Sequence, residues 1–229
     1  MKMLGLIGGI SPESTAIYYR LLNEQAQKRL GGQHSANILL YAVDYGVVYE
    51  QYQRGDWDGY AGEVVKGAEH LKAAGADFLA IASNTSHIGA APSAAATGLP
   101  VLHVLDVLVD AMDARGSTRP LLLGTPFVMA GEFYRAELSK RFSGEALVPD
   151  AAEQKAVGRI IFDELVNGDV LDSSREELKR MVARQDCDGV ILGCTELCMI
   201  LSQDDVEIPV FDTTGLHAAA LSAHMFEET

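Results

Sequence analysis

The chain has 229 residues, a formal net charge of −14 and a hydrophobic fraction of 48%. That is enough apolar material to bury one large core or two small ones, which excludes a disordered chain. The acidic balance disfavours a nucleic-acid surface, and no apolar run reaches the roughly 18–20 residues that a membrane span needs.

Apolar strands alternate with amphipathic stretches from the start. "MLGLIG" (3–8) reads as a strand, and "SPEST" starts a helix from Pro12 to Leu30, with Ser11 able to cap it and Pro12 suited to its first turn. "ANILLYAVD" (36–44) is a second strand, and "YEQYQRGDW" (49–57) reads as a polar loop or helix end. A helix over Trp57–Ala74 leads into the strand "FLAIA" (78–82), followed by strands at 99–104 and 120–124. Helical stretches fill 131–142 and 151–184, strands follow at 189–193 and 208–212, and a helix from Thr214 closes the chain. Strand and helix alternating at this spacing predict an α/β fold with mostly parallel sheets.

The chain also resembles itself. "GADFLAIASNT" (75–85) matches "DCDGVILGCTE" (186–196), "LPVLHV" (99–104) matches "IPVFDT" (208–213), and "GLIGG" (5–9) matches "LLLGT" (121–125). The three matches keep the same order, at offsets of about 110 to 116 residues, near half the chain. Two pseudo-symmetric α/β halves are therefore expected, the first from 1–98 and 209–229 and the second from 99–208. Ligands of parallel sheets bind beyond the carboxyl ends of the strands, so equivalent strand tips facing each other would form opposite walls of one cleft. Those tips are Ser83 and Cys194.

Cys194 follows a strand and opens a helical turn, where free N–H groups favour a thiolate. Ser83 is its counterpart, although serine is also a preferred helix cap and an alcohol is a poor base without activation. His87, four residues on, could complete a serine triad, but the strained elbow that such a triad uses is absent. Cys187, Cys194 and Cys198 are too few for a disulfide framework and lack a zinc-ligand partner set, so neither a metal site nor an exported protein is expected. The default location is the cytoplasm.

"GLIGGISPEST", "YYRLLNE", "SNTSH", "LLGT", "GVILGCTEL" and "PVFDTTGLHA", in this order, resemble the aspartate/glutamate racemases over essentially the whole chain. The first block points to the aspartate racemase branch. The resemblance implies two flavodoxin-like halves with the active site between them, a homodimer, an amino-acid substrate and no cofactor. It also implies α-proton transfer between two groups on opposite faces of the substrate, here Ser83 and Cys194. By motif, Asn84, Thr85, Thr125 and Thr195 contact the carboxylate and ammonium, while Ile10, Ser11 and Tyr52 line the wall. Glu196 and His217 would orient the acid/base groups, and Arg54, Lys155 and Arg159 are the candidate cations for an acidic side chain.

The chain departs from the family at Ser83, where the first motif usually carries Cys. A hydroxyl could be natural there, as in the L-aspartate/glutamate-specific racemases, whose branch carries threonine. It could also be an engineered Cys-to-Ser replacement. A third reading makes Cys194 the sole protonating group, as in decarboxylases acting on small dicarboxylates, and a fourth keeps the fold as a small-acid binding protein.

Overall fold

The computed structural model describes residues 1–227 and divides into two compact units, Met1–His103 with the chain end from His217, and Val104–Leu216. The first unit contains β1 (Leu4–Gly8), α1 (Pro12–Leu30), β2 (Ile38–Ala42), α2 (Tyr45–Arg54), α3 (Trp57–Ala73), β3 (Phe78–Ile81) and α4 (Ala90–Thr97). The second contains α5 (Val104–Arg115), β4 (Leu121–Leu123), α6 (Pro126–Ala130), α7 (Glu132–Ser139), α8 (Ala151–Arg159), α9 (Asp172–Arg184), β5 (Val190–Leu192) and β6 (Val210–Asp212). The last helix, α10 (Thr213–Met225), begins in the second unit and ends in the first.

Each unit holds a parallel sheet, in the order β2-β1-β3 and β4-β5-β6. Single bridges extend both: Val101 pairs with Leu79 beside β3, and Leu147 pairs with Leu121 beside β4. With these added, the two sheets have the same four-strand order, β2-β1-β3-Val101 and Leu147-β4-β5-β6. The expected duplication extends to individual hydrogen bonds. Asp77 N–H donates to Met3 O as Asp188 N–H does to Arg119 O, and Leu79 N–H donates to Pro100 O as Val190 N–H does to Pro209 O. The carboxylates of Asp77 and Asp188 return to the same strand starts, accepting from the N–H groups of Met3 and Arg119.

The pairing moves the expected boundaries. Residues 99–103 belong to the first sheet, because Leu102 N–H donates to Leu79 O at 3.0 Å. Residues 209–216 belong to the second, because β6 pairs in register with β5. Each fourth strand thus stays with the sheet it follows in sequence. The stretch 151–184 is also not one helix: it breaks after α8 into a π-helical turn at Ile160–Glu164, and Gly168 in the left-handed region ends it before α9. Of the stretch 49–57, expected as a polar loop or helix end, residues 49–54 are the end of the helix α2, which Asp44 caps at Gly46 N–H.

β1, β3, β4 and β5 are buried along their whole length, as parallel strands covered by helices on both faces should be. α3 packs on one face of the first sheet, its Val64, Ala68 and Leu71 joining Ile7, Leu79 and Ile81 in one core cluster. α1 and α10 contribute Tyr18, Leu22, Leu221 and Met225 to another, with Leu4, Leu6 and Phe78. In the second unit α8 and α9 supply Val157, Leu178 and Met181 to the core around β4 and β5. Rigid central strands flanked in this way fix where each strand tip ends. Among the described residues no helix is long and apolar enough to cross a membrane.

Candidate active site

In the first unit the loops after β1 and β3 meet. Ser11 caps α1 by accepting from Ser14 N–H at 3.4 Å, and the Ser14 hydroxyl donates to Ala82 O at 3.3 Å. Gly9 has φ of 86°, and a side chain there would strike Val43 O, so this close approach of backbone to backbone requires glycine. Ile10, Ser11, Ser83, Asn84 and Thr85 are all buried, with Ser83 7% exposed.

Ser83 does what serine commonly does at a helix start: its Oγ accepts from Ser86 N–H at 3.4 Å, opening the 3-10 turn Thr85–Gly89. His87 Nδ1 lies 2.8 Å from the Ser83 carbonyl oxygen, not its hydroxyl, so the considered serine triad does not form. His87, in turn, packs against His103 and His217, with ring centroids 4.5 Å and 5.8 Å away. Tyr52 stands on α2 edge-on to Trp57, and Trp57 packs on Tyr60, whose hydroxyl is 2.8 Å from Ser86 Oγ. A run of aromatic contacts thereby connects the expected wall residue to the β3 tip.

His217 lies on α10 and is wholly buried. Its Nε2 is 2.9 Å from Leu102 O, and its Nδ1 is 2.9 Å from Tyr18 Oη. A carbonyl only accepts, so Nε2 carries the hydrogen and Tyr18 donates to Nδ1. Burial pushes the His217 pKa down to about 4, with a smaller opposing effect from the Leu102 carbonyl, so the ring is neutral at physiological pH. Its hydrogen bonds go to Tyr18 and Leu102, and it reaches toward the β3 tip through its packing on His87.

The second unit repeats the arrangement with different chemistry. Thr125 ends β4 and caps α6 through Val128 N–H at 3.3 Å, and Gly193 N–H ties the end of β5 to Leu123 O. Cys194, 6% exposed, donates its thiol hydrogen to Glu196 Oε2 at 2.9 Å. The Thr195 hydroxyl donates to the same oxygen at 2.9 Å. Burial pushes the Cys194 pKa well above the ordinary thiol value, and the neighbouring Glu196 charge and hydrogen bond push it further the same way. The resting group is a thiol with a carboxylate already holding its hydrogen. Thr213 donates to Leu192 O at 2.6 Å, locking the end of β6 against β5.

Sequence reasoning missed Asp212, although "IPVFD" ends on it. It sits at the β6 tip, accepts from Thr214 N–H at 2.9 Å, and is raised in pKa by burial in spite of its bonds to Thr214 and Gly215. It also missed Tyr60 and Ser86, whose contact links α3 to the β3 tip and leaves no local signal. The cation candidates are on the surface: Arg54 pairs with Glu50, Arg159 with Glu164 and Glu177, and Lys155 is exposed. Among the described residues no group of three or more His, Cys, Asp or Glu could hold a metal ion, and none of the three cysteines is in a disulfide.

Residues 7–221 match the model of the Asp/Glu/Hydantoin racemase family. The chain belongs to that family. It is 39% identical to a proposed Asp/Glu racemase from Yersinia pestis, with a TM-score of 0.89 over 99% of this chain and 100% of that one. It is 30% identical to an aspartate racemase homologue from Pyrococcus horikoshii, with a TM-score of 0.85 over 99% and 100%. The broad-specificity amino-acid racemase RacX of Bacillus subtilis is 23% identical over 93% of both chains. Glutamate racemases such as that of Francisella tularensis share the fold at 16% identity, with a TM-score of 0.71 over 98% of this chain and 81% of that one. Family membership and these relatives support amino-acid racemisation as the class of activity.

Proposed function

We propose that the protein racemises an acidic amino acid, aspartate or glutamate, without a cofactor, by removing the α-proton from one face of the substrate and returning a proton to the other, with Cys194 and Ser83 as the two groups. The observation that carries this reading is the Cys194–Glu196 pair at the β5 tip, with Ser83 at the equivalent tip of β3. Glu196 takes the thiol hydrogen as the sulfur turns to the substrate, and the thiolate removes the α-proton. The Ser83 hydroxyl protonates the carbanion on the other face, and solvent carries the Glu196 proton back to the Ser83 alkoxide. Thr195 also donates to Glu196 and holds the carboxylate in place. Asn84, Thr85, Thr125 and Thr195 bind the substrate's carboxylate and ammonium, and Ile10, Ser11 and Tyr52 shape the wall beside them. Donors around the carboxylate stabilise the negative charge that develops on it as the proton leaves. The working form is a cytoplasmic homodimer.

Incubating each enantiomer of aspartate and glutamate in D2O tests this directly, by following α-deuterium and optical rotation. Exchange with loss of rotation is expected. Absence of exchange from every substrate and enantiomer would remove the racemase reading.

One observation favours a second reading. Ser83 Oγ accepts from Ser86 N–H, and the nearby His87 Nδ1 is bonded to the Ser83 carbonyl and not to the hydroxyl. A one-sided enzyme, in which Cys194 alone protonates a carbanion left by CO2 loss from a small dicarboxylate, would need nothing more. Release of CO2 from a substituted malonate, without amino-acid exchange, would select it.

A further inference from the structure

We propose that His87 is a positioning residue that sets the orientation of the Ser83–Asn84 peptide, and so aims the Asn84 N–H at the substrate carboxylate. The inference rests on the racemase reading for what that N–H does, and on geometry alone for how it is held.

The Nδ1 of His87 lies 2.8 Å from Ser83 O, and because a carbonyl cannot donate, Nδ1 carries the hydrogen. In a regular helix this carbonyl would receive the backbone N–H four residues on. Here that N–H is spent on Asn84 O at 3.2 Å, in the tighter 3-10 pattern, and the imidazole takes its place. One side chain thus supplies the donor that the backbone has withdrawn. In a planar trans peptide the C=O and the following N–H point in opposite directions. With the oxygen held toward the buried imidazole, the Asn84 N–H points away from it, beyond the carboxyl end of β3, where ligands of parallel sheets bind.

The imidazole is itself held on several sides. It is 2% exposed and packed against the rings of His103 and His217, and His217 is fixed by Tyr18 and by Leu102 O. The two histidines therefore grip the carbonyls at neighbouring strand tips, Ser83 at β3 and Leu102 beside it. The second unit uses the same device with a different residue. Cys198 follows Cys194 by four positions, as His87 follows Ser83, and its thiol donates to Thr195 O at 3.2 Å. In both halves the side chain one turn beyond the tip folds back to a backbone carbonyl of the tip.

Two substitutions separate positioning from packing. His87→Asn keeps an N–H donor near the place of Nδ1, whereas His87→Leu keeps bulk and loses the donor. α-Proton exchange should fall about 100-fold in kcat for His87→Leu with KM changed less, the loss typical of a misaimed donor to a developing oxyanion, and stay within about fivefold for His87→Asn. Crystal structures should show the Ser83–Asn84 plane rotated in His87→Leu and unrotated in His87→Asn. If His87→Leu does not fold, His87→Met, which also keeps bulk and carries no N–H donor, replaces it. An unrotated plane in the donor-less variant overturns the proposal whatever its activity, as does equal loss of exchange in both variants. Should the unaltered protein exchange no amino acid, the racemase reading fails by itself, and the peptide plane still decides the role of His87.

Discussion

Replacing Glu196 by glutamine tests the chemistry at the β5 tip most directly. The carboxylate oxygen accepts from both the Cys194 thiol and the Thr195 hydroxyl, each at 2.9 Å. Glutamine has nearly the same shape but no charge and one accepting oxygen, so the thiol keeps its place and loses its proton acceptor. General-base help of this kind is worth about 10²–10⁴ in rate. A charge-assisted hydrogen bond of about 1.5–3 kcal/mol corresponds to roughly 10–150-fold, so a loss of about 100-fold in exchange is expected where both estimates overlap. The thiol pKa should move the other way. Burial is the larger cause of its elevation and persists in Glu196→Gln, but the repelling charge is gone and a bond to a neutral amide oxygen favours the protonated form less. The pKa should therefore fall without reaching the ordinary thiol value. Alkylation of the Cys194 peptide by iodoacetamide across a pH series, read by mass spectrometry, reports that midpoint separately from those of Cys187 and Cys198. A variant that exchanges within twofold of the parent, with an unmoved alkylation midpoint, would refute Glu196 as the acceptor. A midpoint that rises would refute the electrostatic account.

Ser83→Cys should raise turnover at least tenfold for the enantiomer whose α-proton faces the β3 tip, measured as the ratio of initial D-to-L and L-to-D rates; an unchanged ratio counts against a catalytic hydroxyl. For His217 the folded pKa of about 4 lies below the usual value near 6.5, so below pH 6.5 the unfolded chain binds a proton that the folded one refuses. Its contribution is fully present above pH 6.5 and is lost as pH falls toward 4, in total roughly 3 kcal/mol. Urea unfolding at pH 7 and pH 4.5 should show most of this loss, and His217→Phe should show less pH dependence over that interval. Asp188 accepts from Ser117, from both the hydroxyl and N–H of Thr118 and from Arg119, whereas among the described residues the Asp77 carboxylate accepts from the Met3 N–H. Asp188→Ala should therefore cost about 2 kcal/mol and Asp77→Ala at most about 1. Equal urea midpoints for the two would contradict that account.

The parts of the fold legible in the sequence are those governed by local pattern. The helix Pro12–Leu30 has its capping serine, its first-turn proline and a glycine just past its end, and all three take those roles. The duplication was legible because paired strands need matching apolar runs, with Asp77 and Asp188 holding equivalent strand starts. Boundaries were not, since whether residues 99–103 and 209–212 add to one sheet or the other depends on hydrogen bonds to Leu79 and Val190. α2 was hidden because its tyrosines and glutamines resemble a polar loop until Val48 is seen buried. At the candidate site, position was legible and direction was not. "SNTSH" marks the tip, but nothing in its spacing says that His87 bonds a carbonyl and not the Ser83 hydroxyl.

The two tips have diverged beyond the exchange of sulfur for oxygen. At β5 the thiol faces a buried carboxylate, so the proton has a place to go and the sulfur can alternate between two states. At β3 a backbone N–H donates to the hydroxyl oxygen, and the nearby histidine is bonded to a carbonyl. An alcohol must become an alkoxide before it can take a proton, and the described groups at this tip include no carboxylate like Glu196 to draw its hydrogen away. Restoring sulfur alone, as in Ser83→Cys, would therefore leave the halves unequal: the new thiol would still lack a carboxylate two residues on, where Thr85 stands in place of Glu196. A symmetric enzyme would need both changes, and Thr85→Glu without the thiol would bury a charge beside a hydroxyl whose proton is far harder to remove than a thiol's.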